Sequence, residues 1–396
     1  MLRWPLSPRQ LEITALTIWS IFLIVIAVLV SRPGKQGRIY PTYVDAGRHF
    51  RLGEPLYPKG PIAEDRDLYR YSPIASVLFI PWDFIPLPLG SVLWRWGQII
   101  AFLWALKSWS RIAIPTVPWA ALFLLALPIC GGNVNNAQIN PLVAALLLGS
   151  LVAFHGRYYW LAAVAIAIAT AFKGYPLALG LLLCLIDLRR FTLPLVVAHL
   201  AVAALPFTLQ DHQYVIQQFR EWVQLVSLDD RSQYTLDTGY FDFQRVLLRW
   251  GVTIPQIYYR ITEVAVGLSI AVFVCWGLWI RQWSRSKAIQ VAGGLGFIWM
   301  TLFGPTTESS TYILIAGLIC HAVIVVVHRS SWEQILVWTA YGLMLSTVVI
   351  NWFPQSIAND LRTLMPQPHG AMLLLVWVVM DSLRVGNVER TPDDVM

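Results

Sequence analysis

From Leu11 to Val30 the chain carries one charged side chain, Glu12, and the stretch reads as a single apolar run of about 20 residues. As a helix rising about 1.5 Å per residue, such a run spans roughly 30 Å, the thickness of a bilayer's hydrocarbon core. Runs of this kind recur to the C-terminal end. Across 396 residues, 57% are hydrophobic and 13% charged. Soluble domains carry about 25% charged residues, so lipid rather than water is the natural solvent for this surface. The 19 Trp fit the same reading, because indole rings collect at membrane interfaces. The expectation is an all-α polytopic membrane protein.

Breakers divide the chain into about twelve crossings, near 11–30, 88–107, 112–130, 138–154, 158–172, 174–188, 191–208, 257–280, 288–303, 311–328, 332–352 and 369–384. Arg3 and Arg9 precede the first run, and Ser31-Arg32-Pro33-Gly34 after it reads as a turn rather than a small-residue cleavage site, so the run is expected to be retained. With the N-terminus inside, the short inner connections hold Lys107, Arg111, Arg157, Arg189, Arg190, Arg281, Arg285, Lys287 and Arg329. The short outer segments 131–137 and 304–310 hold no Lys or Arg. By the positive-inside rule both termini are then cytoplasmic, and the net charge of +7 is topological rather than a sign of nucleic acid. The four cysteines are scattered through apolar runs without metal-ligand spacing.

Two long polar segments fall outside, 31–72 and 209–256, and connections of that length are usually functional. Ser72 to Pro86 is apolar but short and Pro-rich, and reads as a re-entrant piece leading into the second crossing. In the first outer segment Pro41 to Gly53 reads as a short helix, with Thr42 as N-cap and Gly53 as stop. Asp45, Arg48 and His49 then stand at i, i+3 and i+4, a carboxylate beside two potential cations. Thr42-x-x-Asp45 is equally a capping-box pattern, in which Asp45 serves the backbone alone. Tyr57 and Tyr71 are interface anchors or ring faces for a pyranose. Asp65-Arg66-Asp67 has the spacing of a metal-diphosphate motif and lies in a charged loop. Gln138 and Asn140 open the fourth crossing among other amides, in turn-like sequence that also suits sugar hydroxyls. Lys173 occupies a tight outer turn, and Glu308 an outer turn of small hydroxyl residues. In the second outer segment Val215, Phe219, Trp222 and Val226 mark one apolar helix face, suited to lie on the membrane or to roof a lipid-fed cleft. Asp237 to Asp242 follows as a candidate acceptor loop.

The order of these pieces resembles glycosyltransferase family 87, the polyprenol-phosphate-mannose-dependent mannosyltransferases of the GT-C superfamily. Four features carry the likeness: the Asp45 helix closing on Gly53-x-x-Leu56-Tyr57; Tyr71-Ser72-Pro73 leading to Leu87-Pro88; Asn136-Ala137-Gln138-Ile139-Asn140-Pro141; and Ala171-Phe172-Lys173-Gly174-Tyr175-Pro176. Ala137 stands where the family often has Gly, and the turn Gly304 to Tyr312 lacks the Trp and His common there.

The resemblance implies one GT-C transmembrane domain over 1–396 and a bacterial cytoplasmic membrane location with the active site outside. It implies an inverting transfer of a hexose, mannose by analogy, from a polyprenyl-phosphate donor to a lipid or glycan acceptor. The family's base is an acidic residue of the first outer loop, and Asp45 is the matching position. Lys173 and Arg48 would face the donor phosphate. His49, Tyr57, Tyr71, Gln138, Asn140 and Glu308 would line the substrates. No metal or other cofactor is expected, since a lipid monophosphate leaves without the diphosphate that metals clamp. The rival is a polytopic transporter or lipid-linked sugar flippase, disfavoured by spans that carry almost no charge away from their ends and by the absence of an internal repeat. Protein O-mannosyltransferases carry adjacent acidic residues in the first loop, and here Asp45 is followed by Ala46.

Overall fold

The computed structural model describes residues 7–32, 34–37, 39–57, 69–115, 117–228, 235–236, 239–305 and 307–384. Among them the fold is helical, in the order α1 (Pro8–Val30), α2 (Ile39–Leu52), α3 (Pro73–Phe79), α4 (Leu87–Ala113), α5 (Trp119–Asn135), α6 (Asn140–His155), α7 (Tyr159–Phe172), α8 (Leu177–Ile186), α9 (Leu188–Leu209), α10 (His212–Leu228), α11 (Phe243–Arg249), α12 (Gln256–Trp279), α13 (Arg285–Phe303), α14 (Ala316–Val326), α15 (Ser331–Ile350), α16 (Gln355–Thr363) and α17 (Pro366–Leu383). Short 3-10 helices, Ile80–Phe84 and Ser309–Ile315, follow α3 and precede α14. Among the described residues seven helical stretches are long and apolar enough to cross a membrane. The remaining apolar helices are shorter, or fall outside those seven.

Burial sorts the bundle. Nearly every residue of α13 from Ala288 to Phe303 is buried, and the stretch 309–326 is mostly enclosed. By contrast α12 exposes Ile257, Ile261, Val264, Leu268 and Val272, an outward apolar stripe at helical spacing. α1 does the same with Ile13, Ile21, Ile24 and Val28. An apolar face of that extent is at home against acyl chains, where helices associate by close packing. Gly293 shows how close: a Cβ there would stand 2.6 Å from a Leu151 methyl of α6.

The bundle has two chemically distinct ends. At one, Arg285 pairs with Asp187 at 3.4 Å, donates to the Phe154 carbonyl and lies over the Phe154 ring, and Tyr159 hydrogen-bonds Asp187. Arg329–Asp381 and Arg384–Glu333 pairs and the Lys287 bond to the Arg384 carbonyl belong to the same end. At the other end of α7 and α13 lie Ala171, Lys173 and the 304–310 turn, which hold no Arg.

Three expectations need correction. α4 continues through Lys107 and Arg111 to Ala113, and α5 begins at Trp119 rather than 112. Long basic side chains reach the interface from a helix end without breaking it, so they do not mark a turn. The spans are also not free of internal charge. Arg95 of α4 is fully buried, and its five N–H groups go to Val134 O (2.8 Å), Gln36 O (3.0 Å), Asn135 O (3.0 Å), Ser91 O (3.1 Å) and the Ser91 hydroxyl. Those carbonyls include the C-terminal end of α5, where a cation is favoured. Finally, α2 begins at Ile39, so Thr42 lies in its first turn and does not cap it. Its C-terminal end follows expectation. Gly53 takes φ +71, and Glu54 N–H reaches back to His49 O at 2.9 Å.

Candidate active site

α2 carries the first outer segment's side chains on two faces. Tyr40, Tyr43, Val44, Ala46, Gly47 and Phe50 are buried. At about 100° per residue, Asp45 stands roughly 200° from Tyr43 and faces away from the packed side. Gly47 lets this packing happen, since a Cβ would lie 2.6 Å from the Phe79 backbone.

The outward face is an ion-pair strip. Arg48 Nη1 meets Asp45 Oδ1 at 3.2 Å, and its Nε meets Asp83 Oδ1 at 2.7 Å. Arg51 takes the other Asp83 oxygen, also at 2.7 Å. Asp83, from the 3-10 turn after α3, has a side chain only 5% exposed. Burial pushes its carboxyl pKa up, but the Arg51 and Arg48 hydrogen bonds outweigh that and hold it below the usual range. The Asp45 side chain is 52% exposed. His49 turns instead toward Glu54, at 3.7 Å. Thus the expected trio divides: Asp45 and Arg48 stay together, and His49 leaves them.

The inward face builds an aromatic cage. The Tyr43 and Tyr71 hydroxyls are 3.1 Å apart, and Tyr43 stacks on Phe79 at 4.6 Å. Tyr69 and Tyr57 extend the row, with ring centroids 5.7 and 6.0 Å apart. The Tyr57 hydroxyl donates to the Tyr71 carbonyl and so positions Tyr71. Ser72 donates to Ala171 O at 2.7 Å, tying this row to the end of α7. Two residues further on is Lys173.

Around Lys173 the second half of the chain closes in. Gln138 Nε2 donates to Glu308 Oε2 at 3.1 Å, and Ser310 Oγ donates to the same oxygen at 3.3 Å. Asn140 Nδ2 donates to Ser310 Oγ at 3.0 Å. Glu308 also caps the 3-10 helix that starts at Ser309. Its charge is felt by Lys173, Tyr43, Tyr71 and Tyr175. Burial pulls the Lys173 pKa down to about 8, with Glu308 opposing. Burial pushes Tyr71 up to about 12, partly offset by the Tyr43 hydrogen bond. The Lys173 ammonium lies 5.8 Å from the Tyr175 ring centroid. The buried Tyr175 hydroxyl and Asn140 Oδ1 have no hydrogen-bond partner among the described residues. Buried polar atoms are rarely left so, and these point to polar groups of a ligand.

The second outer segment reaches this cluster. Residue 240 bridges to Glu308, and Phe241 N–H donates to Thr307 O at 2.7 Å. Asp237 and Thr238 of the expected acceptor loop lie outside the described residues, as do Asp65, Arg66 and Asp67. α10 roofs the first segment. Gln218 accepts from Leu56 N–H at 2.8 Å, Tyr214 donates to Glu54 O, and Trp222 donates to Arg70 O. Its packed line runs through Val215, Gln218 and Leu225, whereas Val226, expected on that face, is exposed. Beside α2, a cleft of about 580 Å³ opens between Leu29, Val30, Arg32, Lys35, Asn135 and Asn136.

The structure gathers Lys173, Tyr71, Gln138, Asn140 and Glu308, which the sequence singled out separately, at one end of the bundle, and leaves Asp45, Arg48 and His49 on another face of α2. Sequence reading did not single out Tyr43, which lies on the aromatic face of a helix whose polar face drew attention and contacts Tyr71. Nor did it single out Asp83, which pairs with Arg48 and Arg51 from the segment read as an apolar re-entrant piece.

Residues 69–305 match glycosyltransferase family 87, more than half of the chain. A polyprenol-phosphate-mannose-dependent alpha-(1-2)-phosphatidylinositol mannoside mannosyltransferase of Mycolicibacterium smegmatis is 24% identical over 380 residues, covering 87% of this chain and 78% of that one. GPI mannosyltransferase 1 of Aspergillus oryzae is 28% identical over 147 residues, 36% of this chain. Its counterpart in Aspergillus fumigatus is 27% identical over 149 residues. These matches span only 33% of each Aspergillus protein.

Proposed function

The chain belongs to glycosyltransferase family 87, and on that footing we propose that it transfers a hexose, mannose by its relatives, from a polyprenyl-phosphate donor to a lipid or glycan acceptor with inversion. One observation carries the reading. The Lys173 ammonium, without an ion pair among the described residues, sits among tyrosine rings, amides and a carboxylate at one end of a lipid-facing bundle. That set matches the parts of a lipid-linked sugar phosphate: a cation for the phosphate, ring faces and amides for the sugar, and a carboxylate for the incoming hydroxyl.

In the reaction an acceptor oxygen attacks the anomeric carbon as the phosphate departs from the opposite face. One displacement inverts the configuration. The leaving phosphate gains negative charge, and Lys173 offsets it in a site shielded from water. Tyr71 and Tyr175 hold the pyranose, with Tyr43, packed on Phe79, supporting Tyr71 through its hydroxyl, and Gln138 and Asn140 hydrogen-bond the sugar's hydroxyls. The donor phosphate spans one charge, so the reaction is expected to proceed without a metal, and a chelator should leave the rate unchanged.

The site is read as extracytoplasmic, because its short turns hold only Lys173 and Arg362 as Lys or Arg while the opposite end is basic. The exposed Gly174 has open space where a Cβ would stand, and the four native cysteines are largely buried. A Gly174→Cys protein should therefore react with a membrane-impermeant maleimide added to intact cells. Labelling only after the membrane is opened would reverse the orientation.

A further inference from the structure

We infer that the cleft at the α2 end of α1 binds the headgroup of an anionic membrane phospholipid, with an acyl chain of that lipid laid along α1.

The cleft, about 580 Å³, falls in the size range of small-molecule sites. Its walls include Leu29, Arg32, Lys35, Gly37, Asn135 and Asn136, and neither Lys173 nor Glu308. It therefore stands apart from the cluster described above, and the inference does not need the transferase reading.

The polar side of the cleft presents donors. α1 and α5 both end here, and free carbonyls at helix C-terminal ends repel an anion. These carbonyls are already occupied. Gln36 Nε2 donates to Val30 O at 2.9 Å and to Arg32 O at 2.7 Å. Arg95 Nη2 donates to Gln36 O and Asn135 O, each at 3.0 Å. Asn135 Nδ2 donates to Asn136 Oδ1 at 3.3 Å, which leaves the Asn136 amide N–H groups to donate. No acidic residue lines the cleft, and Arg32 and Lys35 have no ion-pair partner among the described residues.

A third cation lies behind the wall. Every hydrogen bond of the buried Arg95 goes to a neutral oxygen, so among the described residues no carboxylate answers its charge. Gly37 lines the cleft, and a Cβ on it would stand 3.8 Å from Arg95 Nη2. A buried charge without a counter-charge is unfavourable, and an anion in the cleft offsets it.

The apolar side decides where the anion comes from. Leu29 is exposed, and Val25, Ile21 and Ile18 continue an exposed line from it at helical spacing, along a helix long enough to cross the bilayer. Inorganic phosphate has no use for that line. A phospholipid fills both parts, its phosphodiester on Arg32 and Lys35 and its chain on α1.

Ser31, exposed between α1 and the cleft, carries the reporter for the test. Full-length Ser31→Cys protein labelled with bimane is titrated in nonionic detergent with phosphatidylglycerol or phosphatidylcholine bearing a nitroxide high on the acyl chain. Quenching gives the binding midpoint, and label on the native cysteines is subtracted using protein without the Ser31 change. Phosphatidylglycerol should bind at least about tenfold tighter. A basic residue near a lipid surface contributes about fivefold, so Arg32→Gln with Lys35→Gln should weaken phosphatidylglycerol about 10- to 30-fold and phosphatidylcholine less than about threefold. Arg32→Lys with Lys35→Arg keeps both charges and should keep the preference, which separates recognition from misfolding. Asn136→Leu changes no charge and should weaken phosphatidylglycerol at least about fivefold. Inorganic phosphate at about 1 mM should leave the quenching in place. Equal midpoints for the two lipids, or a preference that survives the glutamine pair or disappears in the charge-keeping pair, would overturn the inference. So would Asn136→Leu within twofold of its parent, which reduces the effect to surface charge, or displacement by phosphate, which makes the cleft a free-anion site.

Discussion

Removing or discharging Lys173 should weaken the donor in a way that pH alone can report. Burial lowers its pKa to about 8 in the free protein. A bound phosphate favours the ammonium and raises that pKa, so donor affinity is complete below pH 8 and falls as pH rises through it. The sugar phosphodiester keeps one negative charge across this range, which leaves the lysine as the titrating partner. With a free pKa of about 8, the protonated share falls from about nine-tenths at pH 7 to under one-tenth at pH 9. Donor KM should then rise about tenfold, or ~1.4 kcal/mol, between those values. Lys173→Arg keeps its charge far above pH 9 and should flatten the curve, at some cost in geometry. Lys173→Met removes a charge-assisted contact worth about 1.5–3 kcal/mol, so donor KM at pH 7 should climb roughly 10- to 150-fold. The assay is donor KM from pH 6.5 to 9.5 for the three proteins. A wild-type curve flat to pH 9.5, or an arginine variant that repeats the wild-type rise, would refute the reasoning.

Gly47→Val should separate α2 from α3, since even a Cβ would sit 2.6 Å from the Phe79 backbone; overpacking of this kind costs about 1–3 kcal/mol, seen as a lower Tm together with lost activity. Arg95→Met leaves the Val134, Asn135 and Gln36 carbonyls without their donor and should cost several kcal/mol, read as a Tm drop in detergent with the sequence otherwise intact. Ala137 takes φ +56, a conformation that costs a residue with a Cβ about 1 kcal/mol, so Ala137→Gly should hold or raise Tm while preserving kcat.

Much of the bundle was legible because lipid imposes a simple rule on sequence. Runs such as 11–30 and 257–280 became α1 and α12 nearly residue for residue. Turn chemistry was legible too: Gly53 stops α2 with the positive φ that glycine tolerates. The position where the family often has Gly is likewise a left-handed one, here occupied by Ala137. Errors arose where side-chain length defeats the pattern. Lys107 and Arg111 remain inside α4, and Arg95 hides its charge among carbonyls contributed by residues some 40 positions later and nearly 60 earlier.

The site was half legible. Each of Tyr71, Gln138, Lys173 and Glu308 stood out by local chemistry. That Gln138 meets Glu308, 170 residues away, is a property of packing that no local pattern encodes. On α2 the polar residues looked functional and the aromatic ones structural. In the folded chain the aromatic face meets the cluster, and the polar face is tied up with Asp83, whose side chain is buried although the surrounding segment read as apolar.

The central claim is that this chain spends a lipid phosphate sugar, and donor choice tests it most directly. Purified protein in vesicles with a host membrane-lipid extract would be given either polyprenyl-phosphate [³H]mannose or a nucleotide-linked [³H]mannose as the only sugar source. Labelled glycosidic product should form from the lipid phosphate alone, and should fall sharply with Lys173→Met. Product formed from the nucleotide sugar, or none from the lipid phosphate, would contradict the account.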